Sequence, residues 1–202
     1  KKYDLLPSII LLLKSRRKNI NIKRHKYFDT RLNISYFAKS NNIALIKLKT
    51  SDINNSRVIK QLKKINHDLI IFSGAGGQIL KKETLLPQKT FLHAHPGDLP
   101  IYRGSTTIYY SLIEYNTIVC SAIIMSDKID NGKVLAKITY KVPKDKRDID
   151  LIYDPYIRAE TISSVLKQYK ENGFLKSKKQ NNSKQRTYYI IHPVLKHLSI
   201  IF

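Results

Sequence analysis

Apolar residues occur along this chain in short runs with two different spacings. Residues 45–48, 68–72 and 90–94 are nearly continuous apolar runs, which is typical of strands buried on both faces. Residues 52–65 and 106–114 instead repeat apolar side chains at about every third or fourth position, the spacing of one helix face. Strands that alternate with helices predict an α/β fold with an open, mostly parallel sheet and flanking helices.

Two further strands are predicted by the alternating apolar and polar positions of residues 118–125 and 134–142. The turn signal Asp130-Asn131-Gly132 lies between them. Ligands of open α/β sheets bind beyond the carboxyl ends of the strands, so we expect the loops that follow the strands to converge on one site. These loops follow Phe72, Ala94 and Met125.

Residues 151–202 predict a helix, a basic loop and a short terminal helix, all packed on a main domain of residues 1–150. Asp154-Pro155 is a helix start, with Asp as N-cap and Pro at the first helical position. Residues 170–186 are polar and basic, which is typical of a mobile loop. The terminal helix begins at Pro193 and carries an apolar stripe that we expect to pack inward. The stripe consists of Val194, Leu195, Leu198 and Ile201.

Composition limits the class of protein. The chain has 202 residues, 42% of them hydrophobic, which is enough for one domain with a sizeable core. Its single cysteine, Cys120, rules out a disulfide framework, so we expect a reducing, cytoplasmic location. The apolar run 5–13 is interrupted by Pro7 and is far shorter than the roughly 20 residues that span a bilayer, so no membrane association is expected.

The formal net charge of +22 leaves two interpretations open. Basic residues cluster in residues 14–26 and 176–186, and such clusters favour tRNA or another polyanion as partner. The rest of the charge is dispersed in a chain rich in Lys, Asn and Ile, which favours coding bias and a solvated surface.

Candidate chemistry is concentrated after the third predicted strand. His93 and His95 are two residues apart on a strand, so both rings point to one face, and a Pro-Gly turn and Arg103 follow. Together with Asp98 the histidines are compatible with a metal centre. No further ligand cluster stands at a recognisable spacing, so we predict no metal.

The segment 93–104 resembles the signature of the folate-dependent formyltransferases, which include glycinamide ribonucleotide, methionyl-tRNA and sugar-amine N-formyltransferases. That signature reads Asn-x-His-Pro-Ser-Leu-Leu-Pro, followed in several branches by Tyr-Arg-Gly. The matching positions are His95, Pro96, Leu99, Pro100, Tyr102, Arg103 and Gly104. Residues 129–135 are similar to the family's Leu-Asp-Thr-Gly-x-Ile-Leu element, and residues 68–70 with 77–80 to its pterin-pocket strand and loop.

The resemblance covers roughly residues 43–142 and implies a Rossmann-like formyltransferase fold. It implies transfer of a formyl group from 10-formyltetrahydrofolate to a primary amine. By this resemblance His95 stabilises the oxyanion, Asp130 holds His95 in the useful protonation state, and His93 is a third catalytic candidate. The implied folate-binding residues are Gly77, Gln78, Ile79, Leu80, Ser126, Asp127 and Ile129. The implied substrate-binding residues are Arg103, Gly104 and Ser105, with Arg103 either binding an acceptor phosphate or bracing its loop.

Three departures from the family pattern affect these expectations. His93 stands where the family has asparagine, and Lys128 stands where a small residue is common. The family also opens with a βα unit, whereas residues 1–13 resemble a helix or a fragment, so we expect the first βα unit to be absent or cropped. The only methionine is Met125, so we also expect the chain to lack its initiator. A catalytically degenerate relative that acts as a binding protein stays an alternative.

The acceptor is less defined than the reaction. A nucleotide-linked amino sugar, or a similar small amine, is the leading expectation, and a methionyl-tRNA formyltransferase-like enzyme is the alternative. Methionyl-tRNA enzymes have an additional C-terminal domain, for which residues 150–202 are too short. A homodimer through the apolar terminal stripe is compatible with the sequence.

Overall fold

The computed structural model describes residues 4–15, 27–29, 32–74, 77–181 and 185–201. Most of the first basic cluster, residues 16–26, and Lys184 of the second cluster lie outside these ranges. Within the described residues no helix is long and apolar enough to cross a membrane.

The chain begins with a βαβ unit. Its elements are strand β1 (Ile9–Leu13), helix α1 (Ile34–Ser40) and strand β2 (Ala44–Leu48), followed by helix α2 (Ser56–Lys64). Strands β1 and β2 pair in parallel. Residues 9–13 therefore form a strand and not part of the helix that residues 1–13 predicted. Pro7 precedes the apolar run that pairs instead of interrupting it, and Leu11 and Leu13 pack against the core.

The rest of the chain alternates strands and helices as predicted. In order, its elements are β3 (Leu69–Ile71), β4 (Thr90–His95), β5 (Tyr102–Gly104), α3 (Thr107–Tyr115), β6 (Ile118–Ile124), β7 (Val134–Tyr140), a π-helical turn (Ile149–Tyr153), α4 (Asp154–Asn172), β8 (Arg186–Tyr188) and α5 (Pro193–Ile201). The predicted α/β fold with flanking helices is confirmed. Strands β3 and β4 are parallel, and β6 and β7 extend their sheet in antiparallel fashion through the hairpin that the 130–132 turn signal predicts.

Strand β4 lies between two apolar layers. Leu92 and Ala94 face the buried side chains of α3, α4 and β6, among them Cys120. Phe91 faces the other layer, which contains α2 and Leu80. Since side chains alternate along a strand, His93 and His95 lie on the Phe91 face, at the carboxyl end of β4. This end of the strand is where the sequence predicts the site.

The C-terminal elements differ from expectation in two details. Asp154 begins α4, but the π-helical turn runs directly into the helix, so Asp154 is not an N-cap and instead pairs with Arg158. Helix α5 contacts α3, where the Lys196 ammonium lies 4.8 Å above the Tyr109 ring. The apolar stripe does not pack inward as predicted. Its four residues are exposed to 59% (Val194), 41% (Leu195), 36% (Leu198) and 60% (Ile201).

Candidate active site

His95 is buried between two oxygen atoms at the end of β4. Its side chain is almost inaccessible, and its Nε2 lies 2.7 Å from the Tyr102 carbonyl oxygen. A carbonyl can only accept, so Nε2 must carry the hydrogen. The other ring nitrogen, Nδ1, lies 3.4 Å from Asp130 Oδ2. Burial lowers the pKa of His95, while the Asp130 carboxylate and the Tyr102 carbonyl oppose that shift.

Asp130 reaches His95 by an indirect route. Strand β6 is antiparallel to β4, so the loop after it begins beside Phe91, whose carbonyl accepts from Met125 N at 2.8 Å. The loop must therefore return along β4 before Asp130 meets His95. The backbone N–H of Gly104 donates to the same Oδ2 at 2.9 Å, which fixes that oxygen between the ring and β5. The structure thus brings together the predicted pair of His95 and Asp130.

The turn that carries Asp130 has unusual backbone geometry. Asp130 itself has φ 46°, in the left-handed region, where a residue other than glycine is strained. Gly132 packs directly on β6, because a Cβ there would lie 1.6 Å from the Ile124 carbonyl oxygen. The position of the carboxylate therefore depends on contacts that hold this turn.

His93 is engaged with partners of its own. Its Nδ1 lies 3.1 Å from the Phe72 carbonyl oxygen and must donate to it. Its Nε2 lies 3.4 Å from Arg158 Nη1, which can only donate, so Nε2 accepts. Burial and the Arg158 charge lower the pKa of His93 to about 4, which leaves the ring neutral near pH 7. The single N–H of the neutral His93 ring donates to the Phe72 backbone carbonyl, whereas an asparagine side-chain amide would have two N–H donors.

Arg158 is a site residue that the sequence reasoning did not single out. Its Nε donates to Asp154 Oδ1 at 2.6 Å, and its Nη1 donates to the Ala94 carbonyl at 2.7 Å. One helical turn therefore aims a cation at the end of β4. The available signal was an Asp-Arg pair at i, i+4 within an otherwise apolar helix face, which is more often a surface ion pair.

Residues 77–80 form a loop that is anchored to the segment after β2. The Gln78 amide donates to the Ser51 carbonyl at 2.6 Å and accepts from Ile53 N at 3.3 Å. Ile79 is 51% exposed and Gly77 is exposed, whereas Leu80 is 1% exposed and packs in the core. Of these predicted folate-binding residues, Leu80 alone has its side chain turned away from the surface.

The second predicted folate-binding segment lies beside this loop. Asp127 Oδ2 is 3.8 Å from Lys82 Nζ, which joins the two segments. Ser126 Oγ donates to the Lys128 carbonyl at 3.2 Å, and Ile129 is 45% exposed. The two segments thus present one exposed isoleucine each, of which Ile129 directly precedes Asp130 in the chain.

The described residues contain no group of three or more His, Cys, Asp or Glu side chains that could hold a metal. Asp98, the third member of the metal alternative, instead accepts from Lys137 Nζ at 2.7 Å.

Known proteins place the chain in a family. Over residues 9–165 it matches the family described as formyl transferase. The chain belongs to this family. It is 30% identical over 132 residues to the methionyl-tRNA formyltransferase of Caldanaerobacter subterraneus subsp. tengcongensis, which covers 63% of this chain and 42% of that protein. It is 32% identical over 134 residues to that of Clostridium acetobutylicum, covering 65% and 40%. The chain spans less than half the length of these relatives.

Solved structures share the fold at lower identity. A methionyl-tRNA formyltransferase from Clostridium thermocellum gives a TM-score of 0.61 at 19% identity, covering 94% of this chain and 74% of that chain. A sugar N-formyltransferase from Shewanella sp. gives 0.56 at 16%, covering 83% and 69%. HypX from Aquifex aeolicus, in complex with tetrahydrofolic acid, gives 0.55 at 16%, covering 78% and 27%.

Residues after Val165, beyond the stretch that matches the family, also reach the site. Arg103 is 5% exposed, and its guanidinium donates to the side-chain oxygens of Gln180, at 2.8 Å, and Gln185. Ser105 N donates to the Tyr188 carbonyl at 2.9 Å. Gly104 has φ 97°, and a Cβ there would lie 2.1 Å from the same oxygen. The predicted substrate-binding segment is therefore tied to β8, and the Arg103 charge points inward.

Proposed function

We propose that this chain transfers a formyl group from 10-formyltetrahydrofolate to a primary amine. The observation that carries the proposal is the pair of buried His95 and partly buried Asp130, 3.4 Å apart at the carboxyl end of β4. Family membership supports the reaction class, and the positions of the two residues in the signature segments support their roles.

The reaction needs a donor to oxygen and a route for one proton. The amine nitrogen bonds to the formyl carbon, the carbon–N10 bond breaks, and the amine proton ends on N10. Between these events the formyl oxygen carries negative charge, which a hydrogen-bond donor stabilises. Protonated His95 is such a donor, and the Asp130 carboxylate beside Nδ1 favours that protonation state. The Nε2 hydrogen of His95 points to the Tyr102 carbonyl oxygen, so this hydrogen bond must break when Nε2 donates to the formyl oxygen.

The two predicted folate-binding segments suit a flat heterocycle. Ile79 and Ile129 offer exposed apolar surface, and the polar Ser126 and Asp127 lie at its edge. Gly77 leaves backbone accessible beside them. In this proposal Leu80 supports the loop from the core, because its side chain is buried.

For the acceptor we propose a nucleotide-linked amino sugar, with Gly104 and Ser105 at the acceptor side of His95. The support is the Tyr-Arg-Gly-Ser continuation of residues 102–105. Methionyl-tRNA is the second candidate. The names of the sequence relatives and the net charge of +22 favour it.

A set of incubations tests both the proposed reaction and the proposed acceptor. The protein is mixed with 10-formyltetrahydrofolate and, separately, with nucleotide-linked amino sugars or methionyl-tRNA, and the formylated product is measured by mass spectrometry. We expect tetrahydrofolate release together with formylation of an amino sugar. Formylation of methionyl-tRNA alone would contradict the amino sugar as acceptor but support the proposed formyl transfer. No formyl transfer to any amine would contradict the reaction itself.

A further inference from the structure

Residues 173–181 and 185–188, here called the tail segment, return from the end of α4 to the candidate site. Lys178 forms backbone hydrogen bonds with Val134 in both directions, each at 2.8 Å. Further along, β8 pairs in parallel with β5. Between these two attachments lies Gln180, whose side chain is partly buried under the turn that carries Asp130.

Both the nitrogen and the oxygen of the Gln180 side-chain amide have hydrogen-bond partners at this turn or at Arg103. Its Nε2 donates to the carbonyl oxygens of Asp130, at 2.8 Å, and Gly132, at 2.7 Å. Its Oε1 accepts from Arg103 Nη2 at 2.8 Å. The two amide hydrogens thus fix the turn on both sides of Asn131, and Arg103 fixes the orientation of the amide.

These hydrogen bonds stabilise the strained backbone at Asp130. A residue with left-handed backbone geometry keeps it only when the surrounding structure imposes it. Two carbonyls aimed at one point also need a donor there, because their oxygens repel each other otherwise. Gln180 is the side chain that supplies both requirements, and it stands outside the stretch that matches the family.

We propose that Gln180 is a positioning residue, which holds the Asp130 carboxylate at His95 through the backbone of the 130–132 turn. The proposal rests on the proposed function, since it assigns importance to Asp130 through formyl transfer. It makes Gln180, which lies in the predicted loop of residues 170–186, a support of the site.

The variant Gln180→Met tests this role, because it keeps the length of the side chain but removes its donors. We expect kcat for formyl transfer to fall about tenfold to a hundredfold, since a small displacement of a catalytic group has effects of that size. Gln180→Glu keeps the partner for Arg103 but cannot donate to the two carbonyls, so it should be equally impaired. Lys179→Ala, an exposed neighbour in the same segment, is the matched control and should keep the wild-type kcat.

A second readout separates positioning from folding. The ring of His95 is titrated by NMR in wild type and Gln180→Met. Because the Asp130 carboxylate raises the pKa of His95, its displacement should lower that pKa further in the variant. An unchanged His95 pKa together with unchanged kcat per folded molecule would overturn the proposal, whatever happens to Tm. If wild type transfers no formyl group, the proposed function fails, and the His95 titration alone decides whether Gln180 controls Asp130.

Discussion

The two histidines of β4 show how neighbouring charges set the chemistry of identical side chains. His95 faces a carboxylate, and His93 faces a guanidinium and a backbone carbonyl. Burial lowers the pKa of both rings; the Asp130 carboxylate opposes this shift at His95, whereas the Arg158 guanidinium adds to it at His93. Residue 93 is histidine where the family signature has asparagine. The Nε2 lone pair of this histidine accepts from Arg158 Nη1.

Asp130→Asn tests the pair directly. The amide keeps the size of the side chain but removes the charge that stabilises a protonated His95. We expect the rate of formyl transfer to fall about a hundredfold or more, the usual range for a lost acid–base partner. The measurement is kcat/KM with the best acceptor. Asp145→Asn is the control, since Asp145 forms a surface pair with Arg147. Equal rates for Asp130→Asn and wild type would remove Asp130 from the mechanism.

His93 should make the stability of the protein depend on pH. In the unfolded chain it binds a proton near its usual pKa of 6.5, whereas in the folded protein it does so only near 4. The unfolded state therefore binds more protons between these values, so the free energy of unfolding falls as pH is lowered through this window. Urea unfolding at pH 7.5 and 5 should show a loss of about 2 kcal/mol that His93→Asn does not show. The same pH dependence in both proteins would contradict the low pKa.

At the scale of elements, periodicity predicted β3, β4, β6, β7, α2 and α3, because each buries one face or both. Periodicity did not predict elements whose structure depends on partners far away in the chain. The run 9–13 is too short to identify as a strand until β2 pairs with it. The antiparallel direction of β6 also changes how Asp130 reaches His95, although the structure brings these two predicted site residues together. Gln180 was missed because nothing in its local sequence marks contacts made far away in the chain. Arg158 was missed because its i, i+4 pair with Asp154 resembles an ordinary surface ion pair.

The pairing of β5 with β8 gives a prediction at this scale. Gly104→Ala places a methyl group against the Tyr188 carbonyl in a backbone geometry that alanine avoids, so we expect a loss of about 2 kcal/mol or more and release of the tail segment. Thermal unfolding and limited trypsin cleavage after the lysines of residues 176–179 measure both effects. Gly173→Ala shares the positive φ but meets no atom within 4 Å, so it should cost less and leave the tail segment protected. Equal effects of the two variants would show that the β5–β8 contact does not hold the tail segment.

For the whole molecule, the net charge of +22 should govern weak binding to polyanions. We expect tRNA affinity to fall by at least about tenfold between 50 and 200 mM salt, because released counterions drive such binding. It should also be the same for acylated and free tRNA and should survive His95→Ala. Filter binding with both tRNA forms provides the measurement. Affinity that resists salt and requires the methionyl group would instead identify methionyl-tRNA as the acceptor.

The attachment of the tail segment to β5 also bears on the order in which the protein is made. Arg103 and Gln185 are 82 residues apart in the chain, so their contact closes a long loop. Contacts of this separation form after local ones. On the ribosome, the sheet with both histidines can assemble while the tail segment is still being synthesised, yet the turn that carries Asp130 gains its support only when the tail segment emerges. A nascent chain halted after α4 should therefore be folded but inactive.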